Sequence, residues 1–367
     1  RPPRSTLFPY TTLFRSEYAK DVIENSGREL MEHYEDIFRG SNQFCDEILI
    51  AWRWTVGTQW TSQNTLQSDL APDGFDENGD CWGGYGGLSV DLMEAFGVSP
   101  KDDPASRVDP DHRRKATIMM PGDVYSYFWR DHDLPAKSQK DGLKKGFSYL
   151  DFWYNKDYNS AALNKCQAPC GGTNVKHLYG DNADHKAELG ITPSRMANAL
   201  PTPILRLSDI YLIYAEAQVQ MGNTTDALAL DCFNKVRGRA YEWKGVVTKT
   251  SLTFDDIWKE RRLEFAGEGD RWYDYVRRAY YDVDNCIKEL KAQHRNQMWN
   301  CDDVYKAYYN SGTWDSSKMQ YDENTVAPNV TASSFTLPFP TEDVALNPNL
   351  GSNAAPIHVD VRNTYSY

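Results

Sequence analysis

The sequence has no run of about 18 consecutive apolar residues, so it offers no membrane-spanning helix, and its mean hydropathy is only −0.67. Positive charge is also scarce: 40 Lys and Arg against 52 Asp and Glu leave a net charge of −12. Nucleic-acid binding rests on clustered cations that neutralise phosphate, so this balance argues against it and favours an uncharged or weakly charged ligand. The motifs G-x-S-x-G, H-E-x-x-H and G-x-G-x-x-G and the phosphate-cradling P-loop are missing. No catalytic residue, metal or cofactor is therefore assigned.

What the chain has in excess is aromatic rings, 13% of residues with 11 Trp and 23 Tyr, against that low overall hydropathy. Amphipathic rings suit a surface that grips a polar, flat-faced ligand such as a sugar. Most of them are expected to be core. The surplus falls outside the helical segments, which is where a ligand face is expected.

The strongest pattern lies between Pro203 and Arg278. Leu207, Ile210, Tyr211, Tyr214, Ala217 and Met221 recur at three- and four-residue steps and predict an amphipathic helix ended by Gly222. Asn223 or Thr224 is expected to cap a second helix whose stripe is Ala229, Cys232, Phe233, Val236 and Ala240. Such a pair cannot bury both stripes alone, so it resembles one tetratricopeptide-like unit stacked on others. Thr253 and Asp256 predict a capping box opening a third helix, Phe254 to Gly267. On it Glu260, Glu264 and Glu268 repel at i, i+4 spacing unless cations intervene, and Arg261, Arg262 and Arg271 are the candidates. Arginines at such density should hold these carboxyls low and spoil a glycosidase-type general acid.

The segments LRLSDIYLIYAEA, NKVRGRA, ERRLEFAGEGDRWYDYVRR and LPFPTEDVALNPNL, in this order and spacing, resemble the C-terminal half of the SusD/RagB family. The similarity is strong over Thr202 to Arg278 and Phe335 to Leu350, and looser from Glu17 to Ala116. Arg206, Asp209, Glu216, Arg237, Glu260, Arg261, Arg262, Glu264, Glu268, Arg271, Trp272 and Asp274 carry it and are expected to be structural. The resemblance implies a mostly α fold, a superhelix of tetratricopeptide-like pairs with long loops and short strands. It also implies a surface-exposed outer-membrane lipoprotein that binds oligosaccharide without cleaving it and works with a SusC-like TonB-dependent transporter. A helical-repeat protein-binding scaffold is the alternative reading, and a glycoside hydrolase a weaker one.

Read in order, residues 1–16 show neither helical nor strand period and resemble a translated sequencing-adapter scar, so they are set aside. One domain, 17–367, is expected to lack its N-terminal part and lipid anchor. It divides into a loop-rich ligand side (17–200), a helical core (201–280) and a tail region (281–367). Glu17 to Phe38 reads as helix broken near Ser26 and Gly27, and Glu47 to Trp54 as a strand. The irregular stretch Gly57 to Gly87 follows, where the family places part of its ligand face. Trp52, Trp54, Trp60, Trp82 and Tyr85 are the rings expected near a glycan, with Arg113 able to donate to sugar hydroxyls and Arg114 beside it; tying loops to carboxylates is their other role.

Asp73, Asp76, Asn78 and Asp80 resemble a calcium loop with Cys81 where Gly should stand, and a solvated acidic turn is the simpler reading. Leu88 to Phe96 predicts a short helix, Asp109 to Met120 resembles the turn and strand that follow it in the family, and Gly146 to Asn155 predicts another strand. Cys166 and Cys170 suit a short-loop disulfide or free thiols better than zinc, for which His177 and His185 are weak partners. The LPFPTEDVALNPNL ending is expected to be extended, and Gly351 to Tyr367 departs from the family pattern.

Overall fold

The structure is a computed structural model that describes residues 4–61, 64–140, 142–295, 297–323, 328–337 and 339–351. Helix dominates, and the strands among the described residues form two-stranded ribbons only.

The predicted pair is present as Leu207–Gln220 and Ala227–Ala240, with Leu212, Ala215, Cys232, Phe233 and Val236 in one buried cluster. Gly222, at φ +88°, reverses the chain after the first helix, a conformation that L side chains avoid. The second helix is capped by Asp226, whose carboxylate accepts from the Ala229 amide, and not by Asn223 or Thr224. Asn223 instead donates to the Gln218 side chain, and the Thr224 carbonyl accepts from Leu252. The Thr253–Asp256 capping box opens the third helix as expected, though that helix ends at Glu264, short of Gly267.

Residues 4–16 are not separate from this fold. They form the first part of a helix, Arg4–Asn25, that packs on Leu207–Gln220. Its buried positions include Thr12 and Ser16, which are satisfied by Gln220 and Gln218, so the segment shows no apolar stripe to read. After the break at Ser26 and Gly27 the chain resumes only as a short 3-10 turn, Tyr34–Phe38.

On the other side of the molecule a large aromatic cluster joins Phe75, Phe128, Trp129, Phe147, Phe152 and Trp153. The Gly146–Asn155 strand proves to be mostly helix, Tyr149–Tyr154, capped by Ser148. All six of its residues are buried, and a short continuous apolar run carries no period that separates strand from helix. The C-terminal ending likewise contains a helix, Thr341–Leu346, with Glu342 and Asp343 in its first turn where carboxylates favour helix. Residues 352–367 lie outside the described ones.

The two sides meet at an antiparallel ribbon, Ile48–Trp52 with Thr202–Arg206, in which Trp52 faces Thr202 and Ile48 faces Arg206. Behind its Arg206 end lies a buried charge cluster. Glu264 accepts from Arg113 (3.0 Å), Arg206 (3.0 Å) and Arg239 (2.6 Å), and Glu268 accepts from Arg206 and Lys176, both at 2.8 Å. Glu260 pairs with Arg113 at 2.7 Å and Arg237 at 3.3 Å, and Glu47 pairs with Arg206 and Arg239. Apart from Arg237, these side chains are almost fully buried.

The cations that separate the three glutamates therefore come from other segments, not from their own helix. Arg261 goes to Asp209 and Asp274, Arg262 to Asp91, and Arg271 stacks over Trp258 at 3.7 Å. Burial acts to raise the Glu264 carboxyl, but Arg239, Arg206 and Arg113 outweigh it and hold it well below the usual range. Glu268 is likewise lowered, against its burial, by Arg206 and Lys176. Glu260 departs from the expectation: burial raises it in spite of Arg113.

Candidate ligand-binding face

Three of the predicted rings, Trp52, Trp54 and Trp60, are paired or bonded to one piece of backbone, residues 195–202, and a fourth, Trp82, is connected to it through a relay of side chains. Trp52 ends the ribbon, 62% exposed, and meets Trp54 edge to face with centroids 6.3 Å apart. Trp54 is half-buried because its indole N–H donates to the Thr202 hydroxyl at 3.1 Å. Trp60 is 44% exposed; its amide donates to the Arg195 carbonyl, and the Arg195 guanidinium lies over its ring at 5.6 Å. Its backbone is left-handed, φ +67°, an uncommon conformation for so bulky a residue and one that is met at ligand clamps.

Trp82 is 47% exposed and is fixed from behind. Its indole N–H donates to Asp69 at 2.9 Å, and its amide donates to the Ser68 carbonyl. Gly83 lets this turn lie against the Leu66–Leu70 helix, since a Cβ there would come 2.4 Å from the Asp69 carbonyl oxygen. Ser68 donates to Asp80, which also accepts from the Met196 amide, so the Trp82 turn is tied to the same 195–202 segment. Asn64 bonds Asn198 and the Leu200 carbonyl, completing the mount. Tyr85 falls in the following turn, and its side chain lies outside the described ones.

Arg113 does not belong to this face. It is completely buried and paired with Asp111, Glu260 and Glu264, so it presents nothing to a ligand at the surface. Arg114 is also fully buried and is bound to Asp109 and Asp123. Trp272 differs from expectation in the opposite sense: it is 44% exposed, on the outer face of the Asp270–Ala292 helix, and stacks on Phe335 at 5.5 Å. The tryptophan packed inside is Trp258, under the Arg271 guanidinium and edge-on to Tyr275.

All seven cysteines are free thiols, Cys166 and Cys170 included. His177 and His185 are bonded to the carbonyls of Gly267 and Ile191. The acidic turn is only partly solvated: Asp76 and Asp80 are buried and Asn78 turns away to Asn182, while Asp73 and Glu77 are exposed.

A sequence model of the SusD family matches residues 46–356 of this chain. The chain belongs to the SusD family. This SusD-family chain is 32% identical over 351 residues to a SusD-like protein of Bacteroides ovatus, covering 93% of the chain and 55% of that relative. A solved structure with xylogluco-oligosaccharide superposes with a TM-score of 0.67 at 29% identity, over 96% of this chain and 63% of the other. A SusD-like carbohydrate-binding protein from Bacteroides fragilis shares the fold, at 19% identity and a TM-score of 0.55, over 92% of this chain and 62% of that one. The chain thus spans about half the length of the curated relatives it matches.

The residues that mount the rings, Asn64, Asp69, Arg195, Asn198 and Thr202, were not among those singled out from the sequence. Asn64, Arg195 and Asn198 stand in loops, Asp69 in a helix of five residues and Thr202 at the end of a short strand, so none lies in a segment long enough to show a period. Glu47 and Lys176 were missed as well, although Glu47 directly opens the apolar run ILIAW.

Proposed function

We propose that this SusD-family chain captures an oligosaccharide, without cleaving it, on the band formed by Trp52, Trp54, Trp60 and Trp82. The observation that carries the reading is that three large indoles, Trp52, Trp60 and Trp82, stay about half exposed on backbone fixed by hydrogen bonds, and that the indole N–H groups of Trp54 and Trp82 are tied down from behind. Rigid rings lose little entropy on stacking, so such a band favours flat pyranose faces over a deep, shape-selective pocket. The xylogluco-oligosaccharide in the neighbouring structure makes a β-glucan decorated with xylose the first ligand to try.

The densest carboxylates, Glu260, Glu264 and Glu268, are buried and clamped by guanidinium and ammonium groups, which leaves none of them as a general acid facing substrate. Delivery of the captured glycan to a TonB-dependent transporter at the outer-membrane surface, with attachment through an N-terminal lipid, completes the proposal. No helix among the described residues is long and apolar enough to cross a membrane, so anchoring falls to such a lipid in this reading. Affinity electrophoresis in gels containing xyloglucan tests capture: retardation with no new reducing ends after long incubation is expected. Steady release of reducing ends would overturn the non-catalytic reading, and unretarded migration through a panel of plant, algal and host polysaccharides would overturn the glycan reading.

A further inference from the structure

Directly behind Trp82 lies a group of side chains that glycan stacking does not use. Asp76, Asp80 and Cys81 are all buried, and one ligand-type atom from each lies within 4.8 Å of the other two. Ligand atoms around one tetrahedral zinc-type ion, bonded at about 2.0–2.3 Å, sit roughly 3.5 Å apart, so this clustering is of the right size with small adjustment. Asp76 is well supplied with donors: Gln67 (3.0 Å) and Tyr179 (3.1 Å) on Oδ2, and the Asn78 amide on Oδ1. Asp80 is not. Its Oδ2 accepts from Ser68 and Met196, while its Oδ1 is buried with no hydrogen-bond partner, in a side chain 2% exposed.

Among the described residues no cation forms an ion pair with either carboxylate. Arg195, which passes over this turn, donates its Nε to the Asn78 carbonyl. Two buried carboxylates beside each other, one with an orphaned oxygen, are costly unless a positive charge sits with them.

We propose that Asp76, Asp80 and Cys81 form a binding site for a divalent ion of the zinc and cobalt class. The thiol decides the class. Calcium and magnesium take all-oxygen shells, whereas a sulfur with two carboxylate oxygens suits borderline ions. Binding exchanges the Cys81 S–H bond for a metal–sulfur bond, and the proton leaves to solvent, one per ion taken up from this residue. Gln67, Tyr179 and Ser68 would then orient the two carboxylates from the second layer. Because Cys81 is followed by Trp82, the ion would brace the turn that displays this indole.

The test uses the whole chain, stripped with chelator under reducing conditions and titrated with Co2+ alone. One equivalent should produce a near-ultraviolet thiolate-to-cobalt charge-transfer band, bleached by Zn2+. Cys81→Ser should abolish the band and Cys166→Ser should leave it intact. Tyr179→Phe, which removes a second-layer donor, should weaken Co2+ binding by about tenfold. Absence of the band in the unmodified chain, where no folding defect can be blamed, overturns the proposal. So does a band that survives Cys81→Ser, or stabilisation by Ca2+ without any thiolate signal. None of these readouts involves a glycan, so they stand or fall apart from the binding function.

Discussion

Replacing Glu264 by Gln keeps the shape of the side chain and removes the one charge shared by three arginines. The loss falls unequally on them. Arg113 keeps Asp111 and Glu260, Arg206 keeps Glu47 and Glu268, but Arg239 is left with Glu47 alone. All these groups are buried, so the variant leaves guanidinium charge under-compensated and turns an amide N–H2 toward one of the cations. Breaking a buried pair in this way costs about 3–5 kcal/mol. Urea unfolding followed by circular dichroism should show a lower midpoint with unchanged slope.

The pH dependence supplies a second signature. Glu264 and Glu268 are depressed in the folded state, so their contribution is complete above the unfolded carboxyl pKa of about 4.3 and is lost as pH falls further toward their folded values. Glu264→Gln should therefore flatten the acid side of the stability curve as well as lower its plateau. A double-mutant cycle with Arg239→Met should return a coupling of about 1–3 kcal/mol. A loss below about 1 kcal/mol, the level of an exposed ion pair, would show that the cluster is not what holds the helices to the ribbon.

The two tryptophans of the third and fourth core helices should separate clearly in urea melts: Trp258→Ala is expected to cost about 3–5 kcal/mol, and Trp272→Ala, on its exposed stack with Phe335, about 1 kcal/mol. Trp82→Ala should leave the melting temperature nearly unchanged while weakening xyloglucan-oligosaccharide binding by about 1–3 kcal/mol in calorimetric titration. Equal affinity in a folded variant would remove Trp82 from the binding band. Phe14, Tyr18, Val22, Ile210 and Ile213 line an apolar depression between the first helix and Leu207–Gln220, and such a face in water promotes association. Sedimentation should show mass rising with concentration, and Ile213→Lys should abolish the rise.

Much of the helical core was legible because its signals are local. Helical period, the Thr253 capping box and the Gly222 stop all act within a few residues of where they are read. The charge cluster was only half legible. The glutamates announced themselves by spacing, but their partners Arg113, Lys176, Arg206 and Arg239 arrive from segments far apart in the chain, and proximity in sequence pointed to Arg261, Arg262 and Arg271 instead. Tyr149–Tyr154 was misread because an element buried on every side has no polar face to reveal its period. Trp272 was expected to be structural because it lies in the EGDRWYDYVRR segment, but the helix turns it outward, where it stacks on Phe335 and stays 44% exposed. On the proposed ligand side the rings that prove to be exposed, Trp52, Trp60 and Trp82, could be named from composition and loop context, but the segment they are tied to could not.

The Ile48–Trp52 and Thr202–Arg206 ribbon gives its two ends different freedoms. At one end Trp52 stands at the surface, where a change of side chain alters a contact and little else. At the other, Ile48 pairs with Arg206, and any change disturbs charges that have nowhere else to go. The strands are five residues long, so about 13 Å separates a position open to retuning from one that is not. Under the proposed function, a lineage adapting to a new polysaccharide could therefore rewrite the outer end, ring by ring, without renegotiating the fold.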